Sequence, residues 1–341
     1  MKDVAAVAGV SLSTVSRVVN GFPPVAPELA AKVERAVQVL GYRHNHTAGT
    51  LRRANGRSRT LGLVIEDVSN PFMSAVHRGI EEVARTRGVI TFASSSDEDP
   101  ELEHALIEAV LARRVDGLII VPTATDHTYL LRDVANGLGL VFVDRPAQSI
   151  DADSVLSDNV GGSQRAVEHL IAHGHRRIAY VGPPPILFTS VERLAGYRAA
   201  MHLGGGPEIV RHSVEPAEVG AAVRELLALP EPPTALFTSQ NLVTIEAVRA
   251  LHALGRQHEI AHVGFDDITL AAALDPALTV VAQDPLGLGR AAAELLFSRI
   301  DGGHGPSRRV VLPTPLIERG SGEIRSGDGD PNDARRQSRP A

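Results

Sequence analysis

Cysteine and tryptophan are absent from the 341 residues, and aromatic side chains make up only 4% of them. Without cysteine there can be no disulfide, iron–sulfur cluster or cysteine-ligated zinc. No apolar run approaches the roughly 20 residues that a membrane-spanning helix needs. Met1-Lys2-Asp3-Val4 has none of the apolar stretch of a secretory signal, so a cytoplasmic location is expected. Catalytic signatures are missing as well. No Gly-x-Ser-x-Gly elbow occurs, and Gly204-Gly205-Gly206 lacks the Lys-Ser/Thr pair that completes a phosphate loop. His169 and His173 are spaced as zinc ligands on a helix can be, but Leu170 stands where a metalloprotease places its general base. The chain is therefore expected to be no enzyme and to need neither cofactor nor metal.

What is present is the composition of a folded protein, with 43% hydrophobic and 22% charged residues. The formal net charge of −6 conceals an asymmetry. Residues 1–59 hold nine basic and three acidic side chains, a net +6, which leaves −12 on the rest. A basic head on an acidic body fits a small domain that meets phosphate while the remainder does not. A polar stretch around Ala54-Asn55-Gly56-Arg57-Ser58 reads as the linker between them.

The first sixty residues read as short helices. Asp3 to Ala8 ends at Gly9, Ser11 stands where an N-cap belongs, and Leu12 to Val19 continues as a second helix. A third starts near Pro27, with Leu29, Val33, Val37 and Leu40 on one face, and stops at Gly41. Val4, Val10, Val15 and Val18 supply a small core. Helix, glycine turn, polar helix and third helix make a helix-turn-helix plan, whose second helix enters the major groove of DNA. Leu12, Ser13, Thr14, Ser16 and Arg17 are then the base readers. Arg17 suits a bidentate pair with guanine, and Leu12 suits a thymine methyl.

The string from Lys2 through Val10-Ser11-Leu12-Ser13-Thr14-Val15-Ser16-Arg17 to Asn20 resembles the headpiece of the lactose-repressor/galactose-repressor (LacI/GalR) family of bacterial transcription regulators. The resemblance runs to about Arg319 and adds Asn20 to the DNA-contacting set. It implies a hinge helix at about 44–53, paired in a homodimer, with Leu51 wedged into the minor groove of a pseudo-palindromic operator. His44 and Gly49 depart from the proline and arginine usual there, and Ala26 from the serine that usually caps the third helix. A glycine inside a helix costs about 1 kcal/mol relative to alanine, so a weakened hinge is expected. The chain also starts a few residues later than the family usually does.

From Thr60 the pattern changes to short apolar runs alternating with amphipathic helices, the mark of parallel sheets covered on both faces. About 260 residues exceed what one such sheet normally holds, so two lobes are expected. The resemblance agrees, implying a periplasmic-binding-protein-like body of two lobes joined by crossovers near Asp158, Pro285 and Glu318. Open parallel sheets bind ligands beyond the carboxyl ends of their strands. Asn70-Pro71-Phe72, Asp144-Arg145, Gln240-Asn241, Asp266-Asp267 and Gln283 fall at such ends. Carboxylates, amides and an apolar face suit a hydroxyl-rich ligand. The resemblance points to Phe72, Asp144, Arg193 and Asp266 as effector contacts, whereas Gln240-Asn241 departs from the usual Asn-Asp.

The expected fold is thus an all-α helix-turn-helix headpiece on an α/β two-lobed body with parallel sheets. The headpiece takes residues 1–59 and the body 60–320, with an N-lobe of about 60–158 and 286–317 and a C-lobe of about 159–285. A disordered tail is expected over 321–341. The expected function is a homodimeric, sequence-specific DNA-binding repressor controlled by a sugar or sugar derivative. A transport binding protein, a sugar-modifying enzyme and a regulator that has lost its effector are the rival readings.

Overall fold

The computed structural model describes residues 1–19, 25–42, 57–213 and 215–327. The expectations for Asn20, His44, Gly49, Leu51 and the hinge, and for positions 328–341, lie outside the described residues. The chain forms two compact units, one of Met1–Arg59 with Arg114–Asp116 and one of Thr60–Arg113 with Gly117–Ala341.

Among its described residues the first unit holds three helices: α1 (Lys2–Ala8), α2 (Leu12–Val19) and α3 (Pro27–Val39). Gly9 ends α1 with φ 65°, a left-handed conformation that glycine takes without a Cβ penalty. Ser11 accepts a hydrogen bond from the Thr14 N–H at 3.1 Å, the cap expected of it. Ala26 makes no capping bond, and Pro27 at the first turn presets the helical φ instead. Val4, Ala8, Val15, Val33 and Ala36 form the core, with Val10, Val18 and Val37 against them. Leu29 and Leu40, expected on that face, stand 36% and 42% exposed. Among the described residues, α3 is buried at Val33 and Ala36 and partly covered at Val37.

The second unit contains two six-stranded sheets. The N-lobe sheet runs β11-β5-β4-β3-β1-β2 and is parallel throughout. Its strands are β1 (Thr60–Ile65), β2 (Ile90–Ser95), β3 (Gly117–Ile120), β4 (Gly139–Val143), β5 (Asp153–Ser157) and β11 (Arg309–Leu312). The C-lobe sheet runs β12-β10-β9-β8-β6-β7. It comprises β6 (Ile178–Gly182), β7 (Ile209–His212), β8 (Ala235–Thr238), β9 (Ala261–Phe265), β10 (Thr279–Val281) and β12 (Leu316–Ile317). Here β12 pairs antiparallel with β10 while the other strands are parallel.

Helices α4 (Pro71–Thr86), α5 (Pro100–Leu111), α6 (Leu131–Ala135) and α11 (Pro285–Ile300) belong to the N-lobe. Helices α7 (Asn159–Ala172), α8 (Phe188–Gly204), α9 (Pro216–Leu227) and α10 (Asn241–Ala253) belong to the C-lobe. Apolar side chains of β1, β3, β4 and β5 pack against α4 and α11, while the C-lobe sheet is covered by α7 and α8 on one face and by α9 and α10 on the other. Where α4 crosses α11, the backbones nearly touch. A Cβ on Gly289 would lie 2.0 Å from the Val76 carbonyl oxygen, and one on Gly79 would lie 2.3 Å from that of Leu286.

The lobes exchange chain after β5, after β10 and after β11. Asp158 and Asp284 mark the first two crossovers and cap the helices that follow, accepting from the N–H groups of Gly161 and Gly287 at 2.9 and 2.8 Å. The third crossover falls between Leu312 and Leu316, ahead of the expected Glu318, because β12 already pairs in the C-lobe sheet. Ser321 and Glu323, expected in a disordered tail, are instead held on the C-lobe. Ser321 is buried and its hydroxyl donates to the His262 carbonyl at 2.6 Å. Glu323 accepts from the Thr279 hydroxyl at 2.8 Å and pairs with His169 Nε2 at 2.7 Å. Polar composition suggested disorder here, but these polar groups find partners on the C-lobe.

Candidate functional site

Helix α2 carries the expected base readers. Leu12, Ser13 and Arg17 are exposed, Thr14 and Ser16 are half-buried, and Val15 turns inward to the core. The 3.6-residue period therefore leaves polar and basic groups on the outer face. The Ser11 cap leaves the first turn of α2 intact, with its side chains presented outward.

The second site is built where the two sheets end. Asn70 caps α4, its Oδ1 accepting from the Phe72 N–H at 3.1 Å. The same oxygen accepts from Asn241 Nδ2 at 2.8 Å, a direct bond between the lobes. Asp266 follows β9 with φ 78°, a backbone that turns its carboxylate toward the start of α10. One oxygen accepts from the Asn241 N–H at 3.1 Å and the other from Gln283 Nε2 at 2.6 Å. Asp266 thus serves the N-terminus of a neighbouring helix, where negative charge is favoured. Phe72, Asn241, Asp266 and Gln283 line a cavity of about 660 Å3, with Ile245 and Ile268 among its apolar walls. Gln240 is half-buried and lines none of it.

Arg193 is buried on α8. Its Nε donates to Asn159 Oδ1 at 2.8 Å and Nη1 to the Ser239 carbonyl at 2.7 Å, while the guanidinium lies 4.0 Å above the Phe265 ring. Asp144 follows β4 at φ 67° on the opposite lobe, also buried. Burial pushes its carboxyl up; Arg145 and Arg193 pull it back, and Asp266 raises it further. The charges of the two walls therefore act on one another across the cleft.

Around Arg145 stand residues that strand-end reasoning did not single out. Glu98 Oε1 lies 2.7 Å and Glu66 Oε2 3.6 Å from Nη2. Burial lifts the Glu66 carboxyl to about 7; Arg145 opposes this, and Glu98 and Asp144 add to it. Glu66 and Ser239 each follow directly on a strand, so the same rule applied to the residue next to the strand end would have found them. Glu98 had no such signal, because it reaches the cleft from a turn in which both Asp97 and Glu98 take positive φ. His169 and His173, spaced like ligands, have other partners: His169 pairs with Glu323, and His173 Nδ1 meets the His169 carbonyl at 2.9 Å.

Residues 1–45 match the model of bacterial regulatory proteins of the lacI family, and residues 167–322 match the periplasmic binding protein-like domain. The ribose operon repressor of Escherichia coli K12 is 33% identical over 331 residues, covering 94% of this chain and 99% of that protein. The chain belongs to the lacI family of bacterial regulatory proteins. Two solved structures of lacI-family regulators show how far the likeness extends. The lac repressor dimer bound to operator and an anti-inducer is 28% identical with a TM-score of 0.82, covering 94% of this chain and 98% of that one. The complex of the transcriptional regulator CelR with cellobiose is 32% identical with a TM-score of 0.68, over the same shares of both chains. A helix-turn-helix unit and a two-lobed α/β body are thus the lacI-family fold, and both are present here.

Proposed function

We propose that this lacI-family chain is a sequence-specific DNA-binding repressor that works as a homodimer in the cytoplasm and answers to a sugar held, without turnover, between its lobes. The observation that carries the reading is the cleft itself. Asn70 and Asn241 bridge the lobes, Asp266 and Gln283 form one wall, and Phe72 supplies an apolar face beside them. A ligand bound there touches both lobes and so stabilises one angle between them over another. Reversing a 1:99 equilibrium to 99:1 requires about 5.5 kcal/mol of differential affinity. A handful of hydrogen bonds to charged groups, each contributing about 1.5–3 kcal/mol, supplies that. The relatives support the ligand class: one carries ribose in its name, and another is bound to cellobiose. The lac repressor dimer on its operator supports the assembly.

On the DNA side, Leu12, Ser13, Thr14, Ser16 and Arg17 of α2 read base edges, with Asn20 and Leu51 as further contacts. Selection of binding sites from random duplex DNA, followed by fluorescence anisotropy with sugars added, tests the reading. A pseudo-palindromic site whose affinity changes with a sugar is the expected result. Arg17→Ala should weaken binding to that site by about 1–3 kcal/mol, the range of one bidentate base pair, while keeping salt-sensitive non-specific binding. Unchanged discrimination between the selected site and random DNA would remove Arg17 from the readers.

A further inference from the structure

At the strand ends of the N-lobe that face Arg193 and Asp266, outside the lining of the 660 Å3 cavity, stand one guanidinium and three carboxylates. Arg145 is 6% exposed, with Glu98 at 2.7 Å, Glu66 at 3.6 Å and Asp144 at 3.8 Å. Their formal sum is −2. Glu98 is placed there at a conformational cost, since Asp97 and Glu98 lie side by side at φ 50° and 56°, a region that non-glycine residues rarely enter. The turn is pinned to the end of β1 by the Ser96 N–H on the Ile65 carbonyl and the Asp97 N–H on the Glu66 carbonyl, both at 2.8 Å. On the facing lobe, Arg193 is engaged by Asn159, Ser239 and the Phe265 ring, and next to it Asp266 adds another carboxylate. Arg249, which also lines the cavity, pairs with Glu246 at 2.6 Å. Each cation at the site therefore already has an anion or a carbonyl against it. Buried polar atoms without a hydrogen-bond partner include the acceptors Asp144 Oδ1 and Gln283 Oε1 and one donor, Arg145 Nε, which lies 3.8 Å from Asp144 Oδ2.

We infer that the effector of this cleft is a sugar without phosphate or carboxylate, whose hydroxyls donate to Asp144 and Gln283, and that Glu66 and Glu98 exclude anionic sugars by occupying Arg145. The inference rests on reading the cleft as a sugar site and specifies its charge class. An incoming phosphate would meet carboxylates in a region of low dielectric and would have to displace Glu98 to reach a cation. A hydroxyl brings a donor to atoms that lack one and adds no charge.

The test uses the full chain in calorimetric titrations against matched pairs: glucose with glucose 6-phosphate and gluconate, ribose with ribose 5-phosphate, fructose with fructose 1-phosphate, and cellobiose with cellobionate. A neutral sugar should bind at least ten-fold more tightly than its anionic counterpart. In a Glu66→Gln/Glu98→Gln variant, which frees Arg145, that preference should shrink at least ten-fold. Tighter binding of a phosphate or acid by the native chain would overturn the charge assignment and leave the sugar-regulator reading standing. A variant that folds, judged by circular dichroism, and discriminates as strongly as the native chain would overturn the role of the two glutamates. Should no member of either class bind or alter the affinity for DNA, the sugar reading of the cleft falls, and this inference with it.

Discussion

Asp266, at the end of β9, joins two other parts of the body through one carboxylate, holding the start of α10 with one oxygen and Gln283 with the other. Asparagine tolerates its left-handed backbone well, so Asp266→Asn changes charge and acceptor number without forcing the chain. The expected outcome is at least a ten-fold loss of sugar affinity in calorimetry, with little change in melting temperature and DNA binding retained. Glu66 gives a prediction in pH. Its carboxyl titrates at about 7 in the folded chain against 4.5 as the ordinary value, with Arg145, Glu98, Asp144 and Asp67 around it. The folded state therefore holds an extra proton between those values, and stability falls as the pH rises from about 4.5 to 7, then levels off. Glu66→Gln lacks that fall. A ten-fold change in proton affinity corresponds to about 1.4 kcal/mol. Relative to the native chain the variant should gain about 1–2 kcal/mol at pH 8 and nothing at pH 4, as read from urea unfolding across the range.

At the scale of elements, the crossing of α4 and α11 gives the clearest stability test. Gly289→Ala would drive a methyl to 2.0 Å from a backbone oxygen, which no side-chain adjustment relieves. Overpacking of this kind costs about 1–3 kcal/mol. At about 2–4 °C per kcal/mol for a domain of this size, the melting temperature should fall by several degrees in calorimetry. The elements that the sequence announced were those with short, mostly apolar runs, such as Gly117–Ile120 and Ala261–Phe265; the helix read from Ser74 begins three residues earlier, at Pro71. Strand β5, Asp-Ser-Val-Leu-Ser, was not announced, because its polar ends are buried by partners remote in sequence: Asp153 takes a two-pronged salt bridge from Arg299. Edge strands β7 and β11 carry exposed basic residues in place of an apolar run. Much the same division holds for the cleft. Asp144, Asp266 and Gln283 stand at strand ends and were legible, whereas Glu98 depends on a left-handed turn that local sequence does not declare.

For the molecule as a whole, the bond from Asn241 to Asn70 ties the lobes together at the cleft. Asn241→Ala removes that side-chain amide while keeping the N–H that Asp266 accepts. The lobes should then shift toward a more open arrangement, seen as a larger radius of gyration in small-angle scattering and as a smaller change in DNA affinity when the effector is added. The threefold passage of the chain between lobes also bears on how the protein is made. The described contacts among α1, α2 and α3 lie within residues 1–42, so those helices can pack once they leave the ribosome. Neither sheet of the body is complete until β11 and β12 have emerged, at Leu312 and Ile317, and the C-lobe waits further for Ser321 and Glu323. With folding generally proceeding from the amino end during synthesis, a DNA-reading unit is finished well before the sensor that governs it. A chain stalled in synthesis once residues 1–42 have left the ribosome would therefore display packed headpiece helices with no effector cleft behind them.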